Sequence, residues 1–221
     1  GDRVLDILID HPNTARFVCT KLARRFISDD PPAGVIDSCV ASWQATDGDI
    51  RAVVRALLTH PDFETAAPKL KRPFELLVSL IRALGASYDG DADAIERLDR
   101  LGHRPFAWPT PDGYPDTAVE WSGNMLGRWN LALDVLGDRL PGVDVDLDEL
   151  AKAGDASGSQ TTWLQFFGRL FLSRDLDAAD QQVLVEYAFP SGIVPAYSRL
   201  TGRQRVETLG LLAASPAFQW R

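Results

Sequence analysis

The sequence is poor in the residues that build most recognisable sites. Among 221 residues it has two cysteines, three histidines and one methionine. No Cys-x-x-Cys occurs, and no two histidines share the i, i+4 spacing that places two zinc ligands on one helix face. The Gly-x-Ser-x-Gly pattern of hydrolase nucleophiles and the glycine-rich phosphate loop are also missing. We therefore predict no bound metal and no cofactor, and no motif dictates a reaction.

Basic charge and long apolar runs are scarce as well. The net charge is −8, whereas binding to a phosphate backbone depends on clustered lysine and arginine, so we predict no nucleic-acid partner. No apolar run reaches the roughly 18 residues of a transmembrane helix. With 45% hydrophobic and 24% charged residues, the composition is that of a globular protein.

Helical periodicity dominates what is present. Apolar residues recur at helical spacing, as at Val18, Leu22 and Phe26, and no strand alternation of useful length appears. We predict an all-α fold, an irregular bundle of about nine or ten helices in one domain over residues 1–221. One helix should begin at Pro73, and one long, buried helix should cover Thr117–Leu136.

Two segments interrupt the helical pattern. Residues 104–115 carry four prolines and three aromatic residues, which predicts a long loop that packs on something. Residues 138–159 are acidic and rich in glycine and aspartate, which predicts a flexible surface insertion. Its aspartates at 144, 146 and 148, like those at 89, 91 and 93, lack the glycine of a calcium loop and are better interpreted as helix caps.

The two cysteines, Cys19 and Cys39, both fall in predicted helices. If those helices pack together, a disulfide is geometrically possible, and an exported protein would permit it. The alternative is two buried thiols that act as small hydrophobic side chains. The sequence leaves both alternatives open.

A polar stripe on the helix near Thr14 is the first candidate site. At about 100° per residue, Lys21 and Arg25 fall within about 20° of Thr14, beside the apolar face. Cations so close to the interior need carboxylates or an anionic ligand. One interpretation is an internal ion-pair network with Asp49 or Glu75. The other is a cleft in which Lys21, Arg25, Lys71 and Arg82 bind an anionic sugar or a carboxylate.

Acid–base chemistry has weak candidates. His11 and His60 each precede a proline at a helix boundary. Either imidazole, paired with a carboxylate, could act as a general base, but a ring that bonds a nearby carbonyl at the end of a helix is the plainer interpretation. The catalytic candidates are therefore His11, Asp49 and Glu75.

The proline-rich loop supplies aromatic candidates. Trp108, Tyr114 and the nearby Trp121 present faces that can stack on sugar rings. Rings that pack on the protein's own helices are the commoner arrangement. These three residues are therefore candidates for ligand binding, and the alternative is that they only pack against the protein's own helices.

The motifs, taken in order, resemble one family along the whole chain, the bacterial domain of unknown function 1800. The resembling segments are His11-Pro-Asn-Thr-Ala-Arg-Phe17, Thr46-Asp-Gly-Asp49, Lys69-Leu-Lys-Arg-Pro-Phe-Glu75, Pro105 to Asp116 with Trp121, Asn124, Arg128 and Asn130, and Leu212 to Phe218. The activity of the family is not established, so the resemblance supplies no catalytic residue. Arg128, within this pattern, joins the ligand-binding candidates.

The resemblance also implies a setting. Relatives are usually about twice as long and begin with an N-terminal helical half, so we expect this chain to correspond to their C-terminal half and to have that N-terminal half as a partner. Many relatives carry export signals, which implies a periplasmic or extracellular location.

Three functions follow as hypotheses. The leading one is a non-catalytic module of an exported envelope protein that binds a glycan or a partner protein. The rival is a hydrolase or lyase acting on an anionic envelope polymer, which requires its acid–base groups to converge in a pocket. The third is a purely structural role, in which the chain completes the core of the other half and exposes an apolar patch without it.

Overall fold

The computed structural model describes residues 1–158 and 162–221. The chain divides into two compact units. The first unit comprises residues 1–69 and 115–118, and the second comprises residues 70–114 and 119–221. Helices dominate both units, which confirms the all-α prediction. In the described ranges, no helix is both long enough and apolar enough to cross a bilayer.

The first unit is built from short helices around a small core. Asp49 accepts a hydrogen bond from the backbone N–H of Ala52 and so caps one of them, as its place before an apolar run predicts. The core consists of Cys19, Ala23, Ile27, Val35, Cys39, Val53 and Leu57. The helices are α1 (Asp2–Ile9), α2 (Pro12–Phe26), α3 (Ala33–Ala45), α4 (Ile50–Leu58) and α5 (Pro61–Glu64).

Both cysteines of this unit are free thiols in the core between α2 and α3. Cys19 and Cys39 are fully buried and are hydrogen-bonded to each other. Burial raises the pKa of both thiols, and most strongly that of Cys39. In this structure they act as small hydrophobic side chains, which is one of the two alternatives left open by the sequence.

The second unit holds the larger core. Leucines of α6 (Pro73–Ala83) and α9 (Met125–Leu136), together with Trp163, Phe167 and Phe171 of α11 (Thr162–Leu172), form its centre. Pro73 is the first residue of α6, as predicted, because a residue at that position needs no N–H donor. The helices are α6 (Pro73–Ala83), α7 (Ala92–Arg100), α9 (Met125–Leu136), α10 (Leu147–Ala153), α11 (Thr162–Leu172), α12 (Ala178–Ala188), α13 (Gly202–Ala214) and α14 (Pro216–Gln219).

The predicted long helix over Thr117–Leu136 is wrong in its first half. The chain forms a four-residue helix, α8 (Ala118–Trp121), then a 3₁₀ turn (Ser122–Asn124), and only then α9. Asn124 caps α9 by accepting a hydrogen bond from the N–H of Gly127. Because the Asn124 side chain bonds a backbone N–H, it favours the start of a new helix at this point over continuation of the preceding turn.

The acidic segment 138–159 contributes to the second unit's core. Leu140, Val143, Ala151 and Ala156 are buried. Val143–Asp144 forms β2, which pairs antiparallel with β1 (Ser87–Tyr88) in a short ladder that the sequence did not predict. The apolar residues between the aspartates therefore anchor the segment. Ser159, the predicted end of the insertion, lies outside the described residues, and the flexibility of the insertion stays a prediction.

Candidate functional site

The polar stripe of α2 lies in the first unit and has an acidic neighbour. Lys21 Nζ is 2.7 Å from Asp116 Oδ2, and the Thr14 hydroxyl donates to the Leu8 carbonyl. Arg25 is exposed on the same helix. The acidic partner of Lys21 in this unit is thus Asp116 and not Asp49, which corrects the ion-pair prediction for Lys21; the part of that prediction that concerns Arg25 stays a prediction. Asp116 meets Lys21 because residues 115–118 join this unit from a distant part of the sequence.

A second ion pair in the first unit is more deeply placed. Lys69 Nζ donates to Asp29 Oδ1, and Asp29 Oδ2 accepts the N–H of Ala118 at 2.6 Å. Burial raises the pKa of Asp29, but the hydrogen bonds from Lys69 and Ala118 outweigh it and lower that pKa overall. Asp29 therefore ties segment 115–118 to the end of α2 in its charged form.

The four acid–base candidates are engaged in helix starts. The Nδ1 atom of His11 accepts the N–H of Asn13 at 3.2 Å, and His60 does the same for Asp62. The rings thus cap α2 and α5, and neither bonds a carbonyl among the described residues, which corrects the plainer interpretation. Asp49 caps α4, and Glu75 accepts the N–H of Arg72 at the start of α6.

The predicted aromatic residues form one connected ring cluster in the second unit. Its five members share ring contacts with centroid separations between 4.7 and 6.3 Å. Trp108 is 37% exposed and Phe74 is 45% exposed, so the cluster has an outer surface. The members are Phe74, His103, Trp108, Tyr114 and Trp121.

His103 lies at the centre of this aromatic cluster. Its ring centroid is 4.7 Å from that of Tyr114 and 4.8 Å from that of Trp121. Its Nδ1 accepts the N–H of Phe74 at 3.2 Å. Burial, with the positive charge of Arg72, lowers the pKa of His103 to about 4, against the pull of Glu75. The imidazole is therefore neutral near pH 7, and it joins the aromatic loop to the start of α6.

A buried basic cluster lies in the same unit. The guanidinium of Arg128 is fully buried, with Nε donating to Gln219 Oε1 at 2.7 Å and Nη2 donating to the Lys71 carbonyl at 2.6 Å. Lys71 is 8% exposed, and its ammonium lies 3.7 Å from the centroid of the Phe218 ring. Glu75, the carboxylate whose charge acts on both cations, pairs with Arg72 at 3.5 Å and with Arg221 at 3.4 Å.

A model of the family described as "Protein of unknown function (DUF1800)" matches residues 1–220. The chain belongs to this family. The comparisons with curated proteins and with solved structures gave no match. The DUF1800 resemblance inferred from the motifs is therefore confirmed, and the family brings no known activity with it.

The candidate residues of this DUF1800 chain fall in both units. Thr14, Lys21 and Arg25 belong to the first unit, whereas Lys71 and Arg82 belong to the second. The cleft that combines Lys21, Arg25, Lys71 and Arg82 stays a prediction. In the second unit, the structure does bring Trp108, Tyr114 and Trp121 together, and it places Lys71 against Arg128. Arg82 is exposed in the last turn of α6.

Three residues that organise the candidate sites of this DUF1800 chain are not predicted from the sequence. The sequence identifies His103 only as one of three histidines, although its place between Gly102 and the aromatic loop is a usable signal. Gln219 carries no signal, and Asp116 only its place at the end of a family motif, because their roles depend on partners 91 and 95 residues away along the chain.

A groove of the second unit, lined by residues of α9, α10 and α13, differs chemically from the basic cluster. It has a volume of about 830 Å³ and is lined by both acids and bases. Its arginines pair locally, Arg203 with Glu207 at 2.7 Å and Arg205 with Asp148. Asp146 is committed to capping α10. Among the described residues no group of three or more histidine, cysteine or acidic side chains is placed to hold a metal ion.

Proposed function

We propose that this chain is a non-catalytic module of an exported protein that binds an anionic glycan through the aromatic cluster. The observation that carries the proposal is the outer surface of that cluster. There the rings of Trp108 and Phe74 are partly exposed, and each is held in place by contact with another ring of the cluster, Tyr114 and His103 respectively. Exposed rings that are already ordered lose little conformational entropy when a sugar stacks on them.

The supporting charge comes from the start of α6. Arg72 lies close enough to His103 to lower the pKa of that imidazole, and the Arg72 side chain is 26% exposed. A guanidinium beside an aromatic surface suits a sugar that carries a carboxylate, because the ring face stacks while the fork-shaped donor binds two oxygens. A neutral sugar would use only the first of these contacts.

Calorimetry with acidic and neutral oligosaccharides tests this proposal. We expect oligogalacturonides to bind more tightly than neutral oligogalactosides of equal length. Trp108→Ala should weaken that binding at least about tenfold, since stacking side chains of this size contribute more than about 1.4 kcal/mol at binding hot spots. Trp129→Ala is the matched control, because Trp129 is also exposed but lies on α9 and outside the cluster. Equal losses in the two variants would refute the assignment.

A second candidate function, docking of a protein partner, is favoured by α1. No residue of this helix is buried, and its apolar side chains are each more than half exposed. Its polar residues include two aspartates, unlike the lysine-rich and arginine-rich polar face of helices that lie on membranes. We therefore infer a helical protein partner for this face. The exposed apolar residues are Val4, Leu5, Ile7, Leu8 and Ile9.

Docking is testable with the N-terminal helical half of a longer DUF1800 relative, produced as a separate chain. We expect the two chains to associate, and Leu8→Glu to weaken the association by at least about a hundredfold, because it places a charge in an apolar interface. Arg3→Glu, on the polar side of the same helix, should change it little. A mixture that sediments as two independent monomers would count against this function.

The described residues do not support the hydrolase or lyase hypothesis to the same degree. His11 and Asp49 use acceptor atoms to cap helices. Glu75 accepts the N–H of Arg72 at the start of α6 and forms ion pairs with Arg72 and Arg221. A general base needs a free acceptor within reach of the substrate proton. We therefore retain binding as the proposed function.

A further inference from the structure

Lys71 and Arg128 place two positive charges in the interior of the second unit without a carboxylate of their own. Within the described part of the chain, neither forms an ion pair, and Arg128 Nη1 has no hydrogen-bond partner. Burial, aided by neighbouring cations, lowers the pKa of Lys71 to about 8, and burial lowers that of Arg128 to about 10. Charges removed from water are costly unless an anion compensates them.

The guanidinium of Arg128 is held in place. Its Nε and Nη2 donate to Gln219 and to the Lys71 carbonyl, and Gln219 is itself fixed because its Nε2 donates to the Ala213 carbonyl at 2.7 Å. These contacts orient Nη1 without occupying it. The free donor is therefore a preorganised feature of the core and not a loose side chain.

Lys71 is tied to the same framework. Its N–H donates to the Gln219 carbonyl at 2.9 Å, while its own carbonyl accepts from Arg128. Its ammonium rests on the Phe218 ring, a contact that does not neutralise it. The charge of Arg128 lies close enough to lower the pKa of this amine. The nearby carboxylate of Glu75 is shared with two exposed or half-exposed arginines, Arg72 and Arg221.

We infer that Lys71 and Arg128 bind a small oxyanion, a carboxylate, sulfate or phosphate group, in this basic cluster. Such a group offers several acceptor oxygens, one for Arg128 Nη1 and one for Lys71 Nζ. It also adds negative charge to that of Glu75, which two other arginines share. This site is separate from the aromatic surface and does not depend on the proposed glycan function.

Thermal unfolding of the full chain with added sulfate tests the site. At constant ionic strength maintained with sodium chloride, we expect sulfate to raise Tm by several degrees and to saturate in the millimolar range. Substituting Arg128 would orphan Gln219 and the Lys71 carbonyl, so Lys71→Met is the informative variant. It keeps an apolar contact with Phe218, and we expect it to lose at least tenfold in apparent sulfate affinity while its Tm without sulfate equals or exceeds that of the unsubstituted chain.

The matched control is Lys152→Met, because Lys152 is exposed on α10 and the variant loses the same charge. It should respond to sulfate like the unsubstituted chain, including any general salting effect. A sulfate response that does not saturate, or one that is equal in Lys71→Met and Lys152→Met, overturns the inference.

Two further arms identify the source of the anion and separate this inference from the glycan proposal. If oligogalacturonides compete with sulfate, a glycan carboxylate can occupy the site. If they do not compete, the ligand is a free anion. Saturable sulfate binding supports the site in both cases. Trp108→Ala should retain the sulfate response in full. Loss of that response in Trp108→Ala would overturn the separation of the two sites.

Discussion

Asp29→Ala is expected to lower the free energy of unfolding by about 3 kcal/mol, because it removes one partner of a largely buried ion pair. The Lys69 side chain is only 11% exposed, so its ammonium would lose its compensating charge and stay desolvated. The N–H of Ala118 would lose its acceptor at the same time. Both losses act on the contact that ties segment 115–118 to α2.

Urea denaturation of three variants measures this effect. Asp29→Asn should fall between the unsubstituted chain and Asp29→Ala, since the amide oxygen can still accept from Ala118. Asp37→Ala is the matched control, because Asp37 pairs with Arg16 at 2.6 Å but both side chains are 60% exposed. Exposed pairs contribute at most about 1 kcal/mol. If Asp29→Ala and Asp37→Ala cost the same, the Asp29 pair has no special structural role.

Acidification is expected to destabilise the second unit through His103. The folded-state pKa of this imidazole is lowered to about 4 from an ordinary value of 6.5. Between these values the unfolded chain binds a proton that the folded chain does not. The stabilising contribution is therefore complete above pH 6.5 and is lost as the pH falls toward 4, by about 3 kcal/mol in total.

Comparison with His103→Asn isolates this contribution from the titration of carboxylates. The asparagine oxygen can accept the Phe74 N–H in place of Nδ1, although the variant loses ring contacts and should be less stable at pH 7. We expect the difference in free energy of unfolding between the two proteins to shrink between pH 6.5 and pH 4, when followed by urea denaturation at each pH. Parallel stability curves across this range would show that His103 is not held neutral by the fold.

Much of the local structure was predictable because short-range chemistry decides it. Pro73 starts α6 and Asp49 caps α4, as their sequence neighbourhoods indicate. His11 and His60 were recognised as boundary residues, but the direction of their hydrogen bonds was wrong. An imidazole before a proline can serve either the end of one helix or the start of the next, and the sequence does not distinguish the two.

The candidate site was predictable only in part. Aromatic residues close together in sequence, such as Trp108 and Tyr114, could be expected to meet. Lys71 and Arg128 were candidates, yet their mutual contact and the free Nη1 donor could not be foreseen. These features require Gln219, whose contacts with Arg128 and with the Lys71 backbone come from a distant part of the sequence.

The order of residues alone determined the helical class, most helix starts and the family, because these depend on periodicity, on capping within a few residues and on motifs in sequence. The tertiary structure decided which charges are compensated. Asp116 and Ala118 reach the first unit, and Gln219 reaches Arg128, only once the chain has folded. Coulomb and desolvation energies depend on distance and burial, and neither quantity is encoded in the spacing of residues along the chain.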